Sequence, residues 1–92
     1  MTTQRICVLE NVHSMSAFYQ QLMQFFDFPE YFSPNLDALY DVLSTDIEDE
    51  FAIHWKGQQY DKKLLGQAHF QAILRVLIHL KKEREDFTLV LS

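Results

Sequence analysis

Three short apolar runs along the chain predict β-strands. They occupy residues 5–10, Phe51–Trp55 and Phe87–Leu91, and each is rich in β-branched or aromatic side chains. Runs of this length without strict alternation are typical of strands in a parallel sheet, where both faces are covered. We therefore expect the first strand, which is apolar at four consecutive positions, to be buried on both sides.

Apolar residues at helical spacing predict two longer helices between these strands. The first is expected to begin at Ser14 or Ser16 and to end before Pro29, which cannot continue a helix. Its apolar stripe consists of Phe18, Leu22, Phe25 and Phe26. The second helix covers Gln67–Glu83, and its stripe consists of Phe70, Ile73, Leu77 and Leu80.

Residues 29–43 predict a loop followed by a shorter helix. The apolar residues of this stretch follow the i, i+3, i+4, i+7 pattern of a helix with one buried face, and they are Leu36, Leu39, Tyr40 and Leu43. Ser33 followed by Pro34 is a typical N-cap and first helical residue, with Asn35 as the alternative cap. The polar run after Leu43 is expected to end the helix.

The predicted order is strand, helix, helix, strand, helix, strand. Strands joined by helical crossovers form parallel sheets with right-handed connections. The polar segment 58–63 is expected to be a connection, with at most a helical turn around residues 63–65. Since the 92 residues are 48% hydrophobic and include only two Gly and two Pro, we expect residues 1–92 to form a single domain. The predicted fold class is a small two-layer α/β domain, with a three-stranded parallel sheet packed against three to four helices.

Two carboxylates on the shorter helix are the candidate binding groups. Asp37 and Asp41 are four residues apart, so they lie side by side on the face opposite the apolar stripe. Their mutual repulsion, together with the position of Asp41 near the negative end of the helix, costs roughly a few tenths of a kcal/mol. Such a pair is either a solvated acidic face or a surface that a basic partner neutralises. Tyr31 and Phe32 on the preceding loop either fill the core or contact the same partner.

Charge is unevenly distributed along the chain, whose formal net charge is −5. Residues 6–55 contain nine Asp or Glu and no Lys or Arg, whereas residues 56–92 contain seven basic and four acidic residues. Because nucleic acid binding requires a basic surface, we do not expect direct contact with nucleic acid. The acidic half favours a basic protein as the partner.

Cysteine content and hydropathy predict a cytoplasmic protein without membrane attachment. The single Cys7 lies in an apolar run and is expected to be a reduced core residue. No apolar run approaches the roughly 18 residues of a membrane span, and the first five residues lead into a strand pattern rather than a signal sequence. The four histidines, at positions 13, 54, 69 and 79, lack the spacing of metal ligands, so we expect no metal or cofactor. We expect His54, His69 and His79 to lie at the surface or at a helix edge.

The segment PEYFSPNLDALYD at residues 29–41 resembles the signature of the barstar family, intracellular inhibitors of the ribonuclease barnase. Weaker similarities are IHWK at residues 53–56 and DFTLVLS at residues 86–92, and the order and length of the whole chain match. The family has a three-stranded parallel sheet with helices packed on it. The resemblance implies that fold, no enzymatic activity, and a function as an intracellular inhibitor, of the immunity or antitoxin type, that plugs the basic active-site cleft of an extracellular or delivered ribonuclease.

The resemblance also implies which residues bind the partner. Tyr31, Asp37 and Asp41 match residues that lie in the active-site cleft of the nuclease, with Asp41 where a substrate phosphate would be. Asn35 and Leu36 match their neighbours at that interface.

Four positions depart from the family pattern. Ser33 replaces a Gly, Tyr40 replaces a Trp, Asp46 replaces an interface Trp, and Gln71 lies roughly where the long helix offers a Glu. Tyr40, Asp46 and Gln71 complete the predicted partner-binding set. Because these departures surround the acid pair without changing it, a different basic toxin nuclease, or another basic protein, is the alternative partner.

Two functions of other classes stay open as alternatives. An enzyme would use Asp37 and Asp41 as an acid/base pair, but the sequence offers no nucleophile, Gly-rich loop or third group to position them. A purely structural or self-associating role would leave the acid pair without a ligand.

Overall fold

The computed structural model describes residues 5–92, which form a parallel sheet and its covering helices. The elements in chain order are β1 Arg5–Leu9, α1 Met15–Phe25, α2 Leu36–Asp41, a π-helical turn Val42–Asp46, β2 Phe51–Trp55, α3 Gln58–Leu65, α4 Gln67–Glu83 and β3 Phe87–Leu91. The strand and helix order confirms the predicted two-layer α/β class. Residues 1–4, which belong to the stretch where no signal sequence is expected, lie outside the described residues.

The sheet has the strand order β1-β2-β3, and both pairs are parallel. Cys7 lies beside Ile53, which lies beside Leu89. The carboxyl ends of the strands are held together by backbone bonds, with Lys56 N donating to Leu9 O at 2.9 Å and Ser92 N donating to Trp55 O at 3.0 Å. The central position of β2 explains its dense apolar sequence.

The helices bury one face of the sheet only. Cys7 and Leu9 of β1 belong to the same core cluster as Phe18 and Leu22 of α1. On the opposite face, Ile6 is 44% exposed and Val8 is 41% exposed. The prediction that β1 is covered on both sides is therefore wrong, because β1 is an edge strand of a sheet with one helical layer.

The start of α1 agrees with its sequence signal. Ser14 is the N-cap, and its hydroxyl oxygen accepts from Ala17 N at 3.0 Å. Phe26 is buried and packs edge-on against Phe51, with 5.1 Å between ring centroids. Phe25 was predicted to belong to the buried stripe but is exposed, because the helix rotates it away from the core when its neighbour Phe26 points inward. The guanidinium of Arg5 lies 5.5 Å from the centroid of the Phe25 ring.

Helix α3 occupies the segment predicted to be a connection. Gly57, with φ at 69°, makes the turn into it, and the helix buries a carboxylate, Asp61. One oxygen of Asp61 accepts from Trp55 Nε1 at 2.8 Å and from Val12 N at 3.0 Å. This helix escaped the prediction because its main buried side chain is polar.

Helix α4 has the bounds predicted from its apolar stripe, Gln67–Glu83. It is the longest helix of the described residues, and none of the helices there has the length and apolar character needed to cross a bilayer. Cys7 is buried as predicted, and burial raises the pKa of its thiol to about 11. At neutral pH the thiol therefore carries almost no thiolate, which is the reactive form.

Candidate functional site

The acidic helix α2 begins at Asn35 and not at the predicted Ser33. Asn35 has an extended backbone, and its side-chain Oδ1 accepts from Ala38 N at 2.7 Å. Its Nδ2 donates to Ser33 O at 3.1 Å. An amide side chain accepts through its oxygen and donates through its nitrogen, so Asn35 fixes the helix start and the loop before it together.

The helix does not end at Leu43 as predicted but continues as a π-helical turn, Val42–Asp46. Thr45 Oγ1 donates to Asp41 O at 2.6 Å, and Ser44 Oγ donates to the same carbonyl at 3.2 Å. Hydroxyl side chains thus satisfy a carbonyl that the wider turn leaves exposed. The Asp41 carboxylate takes no part in these bonds and stays available.

Arg84 holds the segment that follows α2. Its guanidinium donates to Leu43 O at 2.9 Å, to Ile47 O and to Asp49 O at 3.3 Å. It also donates to both carboxylate oxygens of Asp86, at 2.8 and 2.7 Å, and lies 4.9 Å from the centroid of the Phe51 ring. These hydrogen bonds from Arg84 lower the pKa of Asp86. A single side chain just after α4 therefore fixes the end of the acidic helix.

The two acids of α2 are exposed and unpaired. Within residues 5–92, the carboxylates of Asp37 and Asp41 have neither a hydrogen bond nor an ion pair. The apolar stripe opposite them is buried as predicted, with Leu39 and Leu43 in the core and Leu36 and Tyr40 half-buried against it. Of these four side chains, only Leu36 and Tyr40 line the same surface hollow as the two acids. The core therefore sets the direction of the acids while leaving them free for a ligand.

The two loop aromatics, for which two roles stood open, divide those roles between them. Phe32 is half-buried and packs edge-on against Phe28, with 4.7 Å between ring centroids. Tyr31 is 83% exposed. The first therefore belongs to the core and the second is available for contact.

A hollow on the loop side of α2 brings several predicted residues together. It has a volume of about 280 Å³, and its lining includes Tyr31, Asp41, Thr45 and Asp46. We call it the loop-side hollow. Asp46 lies at the end of the π-helical turn and is exposed, so it shares this hollow with Asp41 instead of lying apart from it.

A second hollow lies between α2 and α4, and we call it the α4-side hollow. It has a volume of about 410 Å³ and is lined by Leu36, Asp37, Tyr40, Asp41, Arg75, Val76 and His79. Tyr40 packs edge-on against His79, with 5.2 Å between ring centroids. Partial burial, followed by the carboxylates of Glu83 and Asp41, raises the pKa of the Tyr40 phenol. Tyr40 therefore stays neutral and able to donate a hydrogen bond at ordinary pH.

Asp41 lines both hollows, so it forms a ridge between them. Gln71 is exposed on α4 but lines neither; it lies in a third hollow, of about 400 Å³, that shares Arg75 and His79 with the α4-side hollow. Among residues 5–92 no three His, Cys, Asp or Glu side chains are grouped to hold a metal ion. The arrangement offers carboxylates and aromatic rings on a convex ridge, which suits contact with a macromolecule's cleft.

Sequence reasoning missed three residues of this region. Arg75 and His79 line the α4-side hollow beside the acids, and Arg84 anchors the segment behind Asp41. His79 is exposed, as expected for a helix-edge residue, but its contact with Tyr40 was not predicted. No local pattern signals these roles, because each depends on α4 packing beside α2.

Comparison with known protein families gives one match over nearly the whole chain. The family described as Barstar (barnase inhibitor) matches residues 2–92. The matched region includes α2, the loop before it and every residue of the two hollows beside it.

Proposed function

The chain belongs to the barstar family, and from that premise we propose that it is a protein inhibitor of a ribonuclease, which inserts the α2 ridge into the basic active-site cleft of the enzyme. The observation that carries the proposal is the pair of exposed, unpaired carboxylates on α2, Asp37 and Asp41. We propose that Asp41, on the ridge between two hollows, occupies the place of a substrate phosphate.

The rigidity of the ridge supports this mode of inhibition. A ribonuclease cleft gathers Arg, Lys and His side chains to hold phosphate, and carboxylates satisfy those donors by charge-assisted hydrogen bonds. Asn35 fixes the start of α2 and Arg84 fixes the segment after it. Because these anchors are already formed in the free protein, binding avoids much of the entropic cost of ordering a flexible mimic.

We propose that Tyr31 and Asp46 extend the contact on the loop side and that Asn35, Leu36 and Tyr40 shape the ridge. Tyr31 and Asp46 both line the loop-side hollow with Asp41, and Tyr31 is the most exposed large aromatic of the described residues. An exposed tyrosine beside a charged group is typical of an interface anchor. Gln71, which lies in a different hollow, would contact the partner only at its margin.

The inhibitor role implies a partner and a compartment, both of which are part of the proposal. The partner is a basic nuclease that is secreted or delivered by another cell, and the inhibitor acts as an immunity or antitoxin protein in the cytoplasm. It acts by occlusion and has no catalytic activity of its own. It does not bind nucleic acid directly, since the acidic ridge repels phosphate.

A toxin nuclease of another type, or another basic protein, is the second candidate partner. The observation that favours it is the guanidinium of Arg75 in the lining of the α4-side hollow, beside the acids. A uniformly basic surface would be repelled there.

A ribonuclease inhibition assay tests the proposal. The purified chain is titrated into barnase and into other ribonuclease toxins, and RNA cleavage is followed. We expect stoichiometric loss of cleavage with at least one enzyme. A folded chain that inhibits none of them contradicts the ribonuclease-inhibitor function while leaving the family and fold in place.

Association with the inhibited nuclease is expected to be fast and to slow steeply as salt is added. Charge complementarity raises association rate constants toward about 10⁸–10⁹ M⁻¹s⁻¹ at low ionic strength, and screening removes that advantage. Stopped-flow measurements at low and high salt are expected to differ by about tenfold or more. The measurement is repeated with two variants that each remove one exposed acid. Asp37→Asn removes an acid that lines the α4-side hollow, and Asp27→Asn, the matched control, removes one outside both hollows. A rate constant that does not change with salt contradicts the electrostatic mechanism.

A further inference from the structure

A row of basic side chains on α4 borders the acidic ridge. Arg75, His79 and Lys82 are all exposed and recur at spacings of four and three residues, which places them on one face of the helix. All three line the third hollow, and the first two also line the α4-side hollow with Asp37 and Asp41. We call these three residues the basic stripe.

Arg75 and Lys82 of the basic stripe form no ion pair with another described residue. Within residues 5–92, no carboxylate oxygen lies within 4.0 Å of the charged nitrogens of Arg75 or Lys82, even though two acids face the same hollow as Arg75. Ile78, which is 47% exposed, lines the third hollow between them. An exposed arginine beside an exposed aliphatic side chain agrees with the composition of interfaces, which are enriched in Arg.

The stripe and the ridge form one continuous surface of changing sign. Arg75 lines the same hollow as Asp37 and Asp41, so a partner that covers the acids also meets Arg75. If the basic cleft of the partner continued over α4, it would place like charges opposite Arg75 and Lys82, which is costly at an interface. The surface that fits both regions is basic opposite α2 and acidic opposite α4.

We infer that the basic stripe is a second contact region, in which Arg75 and Lys82 pair with carboxylates that border the basic cleft of the nuclease. Ile78 packs between these pairs. The inference rests on the proposed function and deepens it, because it specifies a nuclease with an acidic rim beside its active site. Repulsion from the stripe then rejects nucleases whose rim is basic, which gives the inhibitor its specificity.

Reversing the charge of Arg75 tests the inference, because the inference predicts weaker binding, whereas its alternatives predict unchanged or tighter binding. If the stripe faces carboxylates, Arg75→Glu raises the Kd for the inhibited nuclease at least about tenfold. If it faces solvent or a basic surface, the added negative charge leaves the Kd unchanged or lowers it. Lys82→Glu is expected to act in the same direction as Arg75→Glu. Lys63→Glu makes the same change of charge in a separate hollow, between α3 and the start of α4, and is expected to leave the Kd within about twofold.

Each result decides the inference. Binding is measured by calorimetry with the full chain. The unfolding midpoint of every variant, together with the neutral variant Arg75→Gln, separates loss of contact from loss of folding. A raised Kd for Arg75→Glu with an unaffected Lys63→Glu supports the stripe. An unchanged or lowered Kd for Arg75→Glu overturns the stripe. The proposed function then stays in place, provided that the wild type inhibits the nuclease and Asp41→Ala does not. A wild type that inhibits no nuclease overturns both.

Discussion

Replacing Asp41 with Ala is expected to weaken binding to the nuclease by about 2–5 kcal/mol, or roughly 30- to several-thousand-fold in Kd. The Asp41 carboxylate has no partner inside the described residues and stands on the ridge between two hollows, so in the complex it would be buried against the basic groups of the cleft. Truncation leaves those groups buried and unpaired, which accounts for most of the loss. The range is the usual one for removing one partner of a buried, hydrogen-bonded charge pair at an interface.

The fold is expected to survive this substitution. The hydroxyls of Thr45 and Ser44 bond the backbone carbonyl of Asp41, not its side chain, and removing one carboxylate relieves the repulsion between Asp37 and Asp41. Inhibition titrations and calorimetry on Asp41→Ala and Asp41→Asn measure the effect, with Asp27→Ala as the control for net charge. A folded Asp41→Ala that binds within threefold of the wild type contradicts the plug mechanism.

Replacing Arg84 with Ala is expected to lower the free energy of unfolding by about 2–4 kcal/mol. The side chain is 10% exposed and donates to three backbone carbonyls of the segment after α2, which would lose their donor in the variant. Its packing over the Phe51 ring is lost as well. Urea unfolding measures the change, and the π-helical turn, Val42–Asp46, is expected to lose protection from hydrogen exchange first.

Two further variants show whether the geometry of the guanidinium matters. Arg84→Lys keeps the charge but cannot form the forked set of bonds, so an intermediate loss of stability is expected. Arg75→Ala removes an exposed arginine from α4 and is expected to change the free energy of unfolding by less than about 0.5 kcal/mol. A loss below 1 kcal/mol for Arg84→Ala would show that the segment after α2 holds its position without this anchor.

The parts of the fold that were predicted correctly are those in which local sequence and burial agree. The bounds of β2 and α4 follow from the pattern because each buries apolar side chains and is flanked by polar ones. Those of β3, which buries only Phe87, follow from its apolar and β-branched run between polar residues. Helix α3 was missed because the two side chains that it buries are Asp61 and Leu65, and a buried carboxylate does not count toward a hydrophobic period. The sequence does not reveal that this acid is satisfied, since the backbone N–H of Val12 is 49 residues away, although the other partner, Trp55, is only six residues away.

The candidate site was predictable only where it is local. The spacing of Asp37 and Asp41 fixes both on the exposed face of α2, and the structure leaves both exposed. The opposite wall of the α4-side hollow, with Arg75 and His79, depends on how α2 packs against α4, which no helical period specifies. The anchoring of Leu43 O by Arg84 joins residues 41 positions apart and was equally hidden.

The burial of Trp55 has a practical consequence for all of these variants. It is the single tryptophan of the chain, it is fully buried, and its indole N–H is bound to Asp61 on the helix α3. Neither hollow beside α2 includes it. Its fluorescence therefore reports on the integrity of the core and not on the surface around α2. The folding of every variant can thus be followed through the emission of one buried side chain, without a label.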